Sequence, residues 1–346
     1  MVVGPGSPAM DDSAFGSRDK RGNWTPSQPY EYAPVFVWPV QPLRLLKWLF
    51  GFPGYFLPWN LLFAFIALGM WLYLTPDMAT MRTLAPGWIA FLLVRNAALT
   101  VAWYGLFHFI LYVRRSQDRS FKYNGRWPGE RNDAFLFRNQ TIDNLIWTFA
   151  FGIPIWTAYE VTALYLYAND LIPFLDPRTH PVWFIGLWML IPLWRELHFY
   201  LIHRLIHWPP LYRSVHRIHH NSVNPTPWTG LAMHPVEQAL YFSGVVVYWV
   251  MPAHPIHSVF HLVHCMLASA PGHVGFHKVV VGDEKLIDMP GYDHYLHHKY
   301  FECNYSDGVV PYDKWFGTFH DGSPESEQRM MERFRQKAAR NSGRSG

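Results

Sequence analysis

The chain is poor in the residues on which many cofactor sites are built. It has two cysteines in 346 residues, Cys265 in an apolar stretch and Cys303 in a polar one, so no disulfide framework, thiolate zinc site or iron–sulfur cluster is indicated. A dinucleotide fingerprint, a haem-attachment motif, a fused electron-carrier domain and the H-E-x-x-H of zinc hydrolases are all missing. Charge is also scarce: 16% of residues are charged and the net charge is +4, with no basic stripe, which speaks against nucleic acid as a partner. The opening residues are Gly, Ser, Pro and charge rather than the apolar core of a signal peptide, so no cleavable leader is expected. Histidine is nearly absent from the first half, where only His108 precedes residue 180.

Apolar residues are plentiful but gathered in blocks. Hydrophobic residues make up 50% of the chain and aromatics 18%. A bilayer needs roughly 20 helical residues to cross its hydrocarbon core. Four runs satisfy this, at about 55–74, 87–113, 144–168 and 182–207, while a fifth apolar region, 239–270, is interrupted by Pro252 and Pro255 and reads as a bent or re-entrant hairpin. Asn60, Arg95, Asn96, His108, Glu160, Arg195 and Glu196 fall inside the runs and are expected to face the helix bundle or an interface, because a charge facing lipid is costly. The loop after the second run carries Arg114, Arg115, Arg119, Lys122, Arg126, Arg131 and Arg138, whereas the loops 75–86 and 167–181 carry only Arg82 and Arg178. That asymmetry predicts a cytosolic basic loop and brings the end of the fourth run to the same face.

The histidines gather on that face. His203 and His207 form H-x3-H; His216, His219 and His220 form H-x2-H-H; His294, His297 and His298 repeat it. Residues three and four apart share a helix face, so each cluster can offer two or three ring nitrogens to one point. One ion takes about four to six ligands and a working site keeps a position open, so eight imidazoles predict two metals, iron or zinc by ligand type. A second stripe, His254, His257, His261 and His264, follows one helix face and suits a role in orienting ligands, or plain inter-helix hydrogen bonding.

The runs ELHFYLIHRLIH, SVHRIHHNSVNPTPWTGLAMHPVE and GYDHYLHHKYFECNYSDGVVPYDKWFGTF resemble the fatty acid hydroxylase/sterol desaturase superfamily of membrane di-iron enzymes, over about Ile142 to Phe319. PTPW, AMHPVE and NYSDG…YDKWFGTF are most similar to its sterol C5-desaturase branch. The resemblance implies an all-α multi-pass protein, with a stem of about four transmembrane helices under a cytosolic cap holding a dimetal site. It adds His273 and His277, from GHVGFH, to the ligands, and His234 as a ligand or a ligand-orienting residue; His257, His261 and His264 are further candidates for either role from the spacing of their stripe alone. It implies two Fe ions, replaceable by Zn on overexpression, and an O2-dependent desaturation or hydroxylation of a bilayer lipid, with a sterol or related isoprenoid favoured over a fatty acyl, sphingoid, carotenoid or alkylglycerol lipid. Electrons would come from a separate donor such as cytochrome b5 or ferredoxin with its reductase. A zinc-dependent membrane hydrolase and a metal transporter are the remote alternatives. The expected organisation is a disordered segment 1–35, an interfacial segment 36–54, a transmembrane scaffold 55–141, the catalytic domain 142–319 and a polar tail 320–346, in an endoplasmic reticulum or bacterial inner membrane.

Overall fold

Proline marks where the helices of this chain begin, since its fixed φ and missing N–H fit the first helical turn. It opens α1 (Pro42–Phe50), α3 (Pro86–His108), α5 (Pro181–Ile206), α6 (Pro235–Phe242) and α7 (Pro255–His273). The remaining long helices are α2 (Leu61–Tyr73), α4 (Ile153–Ala168), α8 (Tyr292–Tyr300) and α9 (Pro324–Ser342). This computed structural model describes residues 11–27, 32–129, 131–282 and 285–342. Residues 1–10 and 28–31 of the expected disordered segment, and 343–346 of the expected polar tail, lie outside the described residues.

The molecule is mostly helical. Two runs, Phe56–Tyr73 and Pro86–Val113, are long and apolar enough to cross a membrane. Helix α7 is the hub: it is buried on nearly every face and packs against α2, α3, α4 and α5. The break at Pro252 and Pro255 is where the sequence places it. The chain leaves α6 through a 3-10 segment, Ser243–Trp249, before α7 starts, with His254 capping the new helix by accepting from the Ile256 N–H at 3.2 Å.

Charges inside the apolar runs face inward, as lipid requires. Arg95 Nη2 lies 2.5 Å from both Glu160 oxygens, and Asn96 Nδ2 donates to the same carboxylate at 3.0 Å, tying α3 to α4. Asn60 accepts from His264 Nε2 at 2.8 Å and so links α2's entry to α7.

Two expectations need correction. The all-α reading missed two antiparallel hairpins, β1 (Gly16–Arg18) with β2 (Trp24–Pro26) and β3 (Lys278–Val281) with β4 (Lys285–Asp288). The second follows from a β-branched run ending at Gly282, which turns with φ at +64°. The first contradicts a disordered 1–35: Trp24 is 1% exposed and packs on Phe121, Tyr123 and the ring of His277. One large aromatic is enough to dock a short polar segment. In the expected tail, Pro324–Ser342 is helical, and Tyr300 donates to Glu327 at 3.0 Å.

Candidate metal centre

The histidine clusters gather into two groups whose ligand atoms lie within 4.8 Å of one another: His203, His207, His216, His220 and His297 in the first, His219, His273, His294 and His298 in the second. Each H-x2-H-H triplet is divided between the groups. Helix geometry explains the division: residues four apart are rotated about 40° from each other, while the residue three along stands about 60° to the other side. His216 with His220, and His294 with His298, therefore share a group, and His219 and His297 cross to the other one. Of the two or three ring nitrogens that each triplet is expected to offer to one point, two do so, and the third joins the other group.

Local breaks aim the ligands. Helix α5 delivers His203 in its last turn and ends at His207, and a π turn, Tyr212–His216, swings the chain back so that His216 and His220 face the end of α5. His273 is the last residue of α7, and α8 carries His294, His297 and His298.

The Nε2 atoms are poised for a cation. In the first group, His220 Nε2 is 2.9 Å from His216 Nε2, 3.3 Å from His207 Nε2 and 3.1 Å from His297 Nε2, while the His207–His297 separation is 3.1 Å. In the second, His273 Nε2 is 2.8 Å from His294 Nε2 and 3.4 Å from His219 Nε2. For metal–nitrogen bonds of about 2.1 Å, ligands at right angles stand about 3.0 Å apart and tetrahedral ones about 3.4 Å, so the spacings fit. Hydrogen bonds cannot satisfy the set, because each neutral ring nitrogen is either a single donor or a single acceptor.

Acceptors behind the rings fix which nitrogen is bare. His203 Nδ1 donates to the Tyr305 carbonyl at 2.8 Å, His297 Nδ1 to the Cys303 carbonyl at 2.6 Å, His273 Nδ1 to the Ser269 carbonyl at 2.7 Å and His216 Nδ1 to Glu237 Oε1 at 2.7 Å. With the proton on Nδ1, each Nε2 presents a lone pair inward. Burial pushes His216, His220, His294, His297 and His298 well below the ordinary imidazole range, which favours the neutral rings that could hold a metal. Both nitrogens of His298, 0% exposed, have no hydrogen-bond partner, a state that metal ligation would relieve.

Five candidates stand apart from both groups. His277 Nδ1 pairs with the Tyr123 hydroxyl at 3.2 Å, because the turn at Gly275, φ +76°, carries the chain out of α7 and away from the centre. His234 caps α6 by accepting from the Val236 N–H. His257 Nε2 bonds the Phe184 carbonyl at 3.0 Å, His261 Nδ1 meets the Tyr248 hydroxyl at 3.0 Å and His264 bonds Asn60, so this stripe joins helices rather than ligands. Sequence reasoning missed Glu237, although HPVE drew attention to the segment; a carboxylate in the first turn of a buried helix was the available signal.

A cavity of about 40 Å³ touches both groups through His203, His216, His219, His273 and His294. Beside it lies a larger one of about 430 Å³ walled by Trp48, Tyr55, Trp59, Phe63, Met289 and Tyr292, among others. Of the aromatics near the clusters in sequence, Tyr292 lines this cavity, whereas Tyr200 stacks on Tyr312 and Trp228 packs on Tyr104.

Residues 188–318 match the family model of the fatty acid hydroxylases. The chain is 33% identical over 142 residues to a Delta(7)-sterol 5(6)-desaturase of Gibberella zeae, covering 40% of this chain and 42% of that one. It is 31% identical over 167 residues to one from Aspergillus fumigatus, 41% and 51%, and 30% identical over 125 residues to one from Saccharomyces cerevisiae, 35% and 32%. The matches thus span about half or less of these relatives' length. No solved structure matches the chain. The superfamily read from the histidine runs, and its sterol desaturase-like branch, is borne out for this part of the chain.

Proposed function

We propose that the chain is a membrane-bound di-iron oxidoreductase that uses O2 to introduce a double bond into a sterol. The observation that carries this reading is the pairing of two buried imidazole groups around a small chamber with a larger, aromatic-walled cavity beside it. The metal ligands are His203, His207, His216, His220 and His297 for one ion and His219, His273, His294 and His298 for the other. Bound iron supplies the oxidising power for removing hydrogen from an unactivated C–H bond, which no side chain provides. The protein's own residues do the rest. The carbonyls of Cys303, Tyr305 and Ser269 and the Glu237 carboxyl hold the rings in one tautomer, and the aromatic walls of the outer cavity hold the substrate and exclude water. Two electrons per turnover come from a separate carrier such as cytochrome b5 or a ferredoxin with its reductase.

The reading includes a four-span stem with the metal centre on the cytosolic side. Helix α5, 26 residues, is about 39 Å long at 1.5 Å per residue, and its Val182, Ile185, Met189, Leu190, Leu201 and Leu205 are exposed. Leu61, Leu62, Phe65, Leu68 and Leu72 line the outside of α2 in the same way, more apolar surface than water tolerates on a monomer. Leu43, Leu46 and Phe50 of α1, with Trp38 and Phe52, suit a helix lying at the headgroups.

The test supplies active membranes with reductant, O2 and either a Δ7-sterol or a long-chain acyl lipid, and reads products by mass spectrometry. A new ring double bond in the sterol is expected. Oxidation of the acyl lipid alone would replace this reading with acyl hydroxylation, the reading that the name of the matching family favours.

A further inference from the structure

The two cavities share a neck made by Arg195, Ala268, Gly272, His294 and Asp307. A passage for hydrocarbon would be expected to be apolar throughout, yet this one carries an ion pair: Arg195 Nη2 stands 2.6 Å from Asp307 Oδ2. Arg195 is 6% exposed, and its Nε–H has no hydrogen-bond partner. The pair is held rigidly. Glu196, next along α5, accepts from the Val310 N–H at 2.6 Å, and a Cβ on Gly308 would collide with the same carboxyl, so the segment bearing Asp307 is pressed onto the helix bearing Arg195. A fixed, buried donor beside a half-buried acceptor at the entrance to the metal chamber is a built receptor for one hydroxyl group.

We propose that the Arg195–Asp307 pair binds the 3-hydroxyl of the sterol, so that the ring end enters first and the side chain trails through the outer cavity past Trp59 towards Trp48 and Tyr55. The proposal rests on the sterol reading above. In a 5(6)-desaturation the hydroxyl oxygen is three bonds of about 1.5 Å from the nearer reacting carbon, C5, and so lies within about 4 Å of it, with C6 one bond further. A hydroxyl seated at the neck therefore holds the reacting carbons beside His294, on the outer side of the chamber that both histidine groups line. It donates to Asp307 and accepts from the Arg195 guanidinium. A lipid oxidised in the middle of an acyl chain has no polar group at that distance and would lay methylenes against the charged pair.

The experiment uses the purified full chain in lipid nanodiscs, metal-loaded and without O2, and measures the Kd of a radiolabelled Δ7-sterol and of its 3-deoxy and 3-methoxy analogues; turnover is then read with O2 and reductant. One hydrogen-bonded contact to a charged group predicts about 10- to 100-fold weaker binding of the 3-deoxy sterol. The paired variant Arg195→Met/Asp307→Leu should bind both with a ratio near one, whereas a defect of folding alone lowers both alike and leaves the ratio intact. Equal binding of hydroxyl and deoxy sterols by the unaltered chain overturns the proposal while leaving the sterol reading standing. Preservation of the ratio in the paired variant overturns it too. If no sterol binds or reacts while an acyl lipid does, the sterol reading itself has failed.

Discussion

Replacing His297 or His298 by Ala should remove different metal ions, although the two residues are neighbours in the chain. His297 Nε2 is 3.1 Å from the Nε2 atoms of both His207 and His220, in the group of five, whereas His298 belongs with His219, His273 and His294, in the group of four. Both rings are fully buried, so neither change alters the surface and each leaves the other group's ligand atoms in place. The unaltered protein should hold about two ions per chain, and in each variant the ion of the altered group should be stripped first by chelator, leaving about one, with lipid oxidation lost in both because the chemistry needs the pair. A third variant, Glu237→Leu, sets the scale. It removes only the acceptor behind His216 Nδ1, so the count should stay near two at saturating metal while the affinity falls about 10- to 100-fold. The assay is metal analysis of protein after titration with a chelator, with the fold followed by thermal unfolding. Full retention of two ions in either alanine variant would refute the two-group assignment. So would loss of both ions from one variant that remains folded, since independent groups should empty separately.

Two further outcomes follow from burial. His273 and His277 are each depressed to about 4, burial being the largest cause, so in the metal-free protein both are neutral when folded and protonate near 6.5 when unfolded. Their folded pKa values lie below the unfolded ones, so their contribution to stability is complete above pH 6.5 and is lost as pH falls towards 4; thermal unfolding of metal-free protein across that window should show a falling Tm, and a flat profile would contradict it. Trp24→Ala should destabilise the cap by about 3–5 kcal/mol, read by proteolysis of the 11–27 segment and by unfolding, because Trp24 is 1% exposed against Phe121 and Tyr123; an unchanged protein would mean that the hairpin does not dock.

The ligand clusters were legible in the sequence because helical spacing is a local property: H-x3-H and H-x2-H-H determine relative direction within one helix whatever surrounds it. Local spacing also separates the residue three along from the pair four apart, but which residues of different helices complete each group was not legible, because that depends on how α5, α7 and α8 meet. His273 and His277 illustrate the limit. They have the same spacing as His203 and His207, but α7 ends at His273 and Gly275 turns away, so one residue reaches the centre and the other packs against Trp24. The stripe from His254 to His264 was legible as one helix face, yet its partners Phe184, Tyr248 and Asn60 come from distant parts of the chain. The N-terminal hairpin was hidden because so few of its residues are apolar and the docking rests largely on one of them.

The segment 303–310 joins the two halves of the site, which explains why it combines carbonyl acceptors, a charge and a glycine in so short a space. The carbonyls of Cys303 and Tyr305 hold His297 and His203, both of the first group, while Asp307 pairs with Arg195 at the neck of the outer cavity. Asp313 anchors the segment from one side by accepting from the Tyr305 N–H at 2.9 Å and the Ser306 N–H at 2.7 Å, and Glu196 anchors it from the other through Val310. With both ends fixed, Asp307 cannot move far without disturbing the rings behind which Cys303 and Tyr305 sit. On the proposed reading, the ion pair at the neck and the ring orientation in the first histidine group are therefore held by one segment, through a few hydrogen bonds between backbone and side chain.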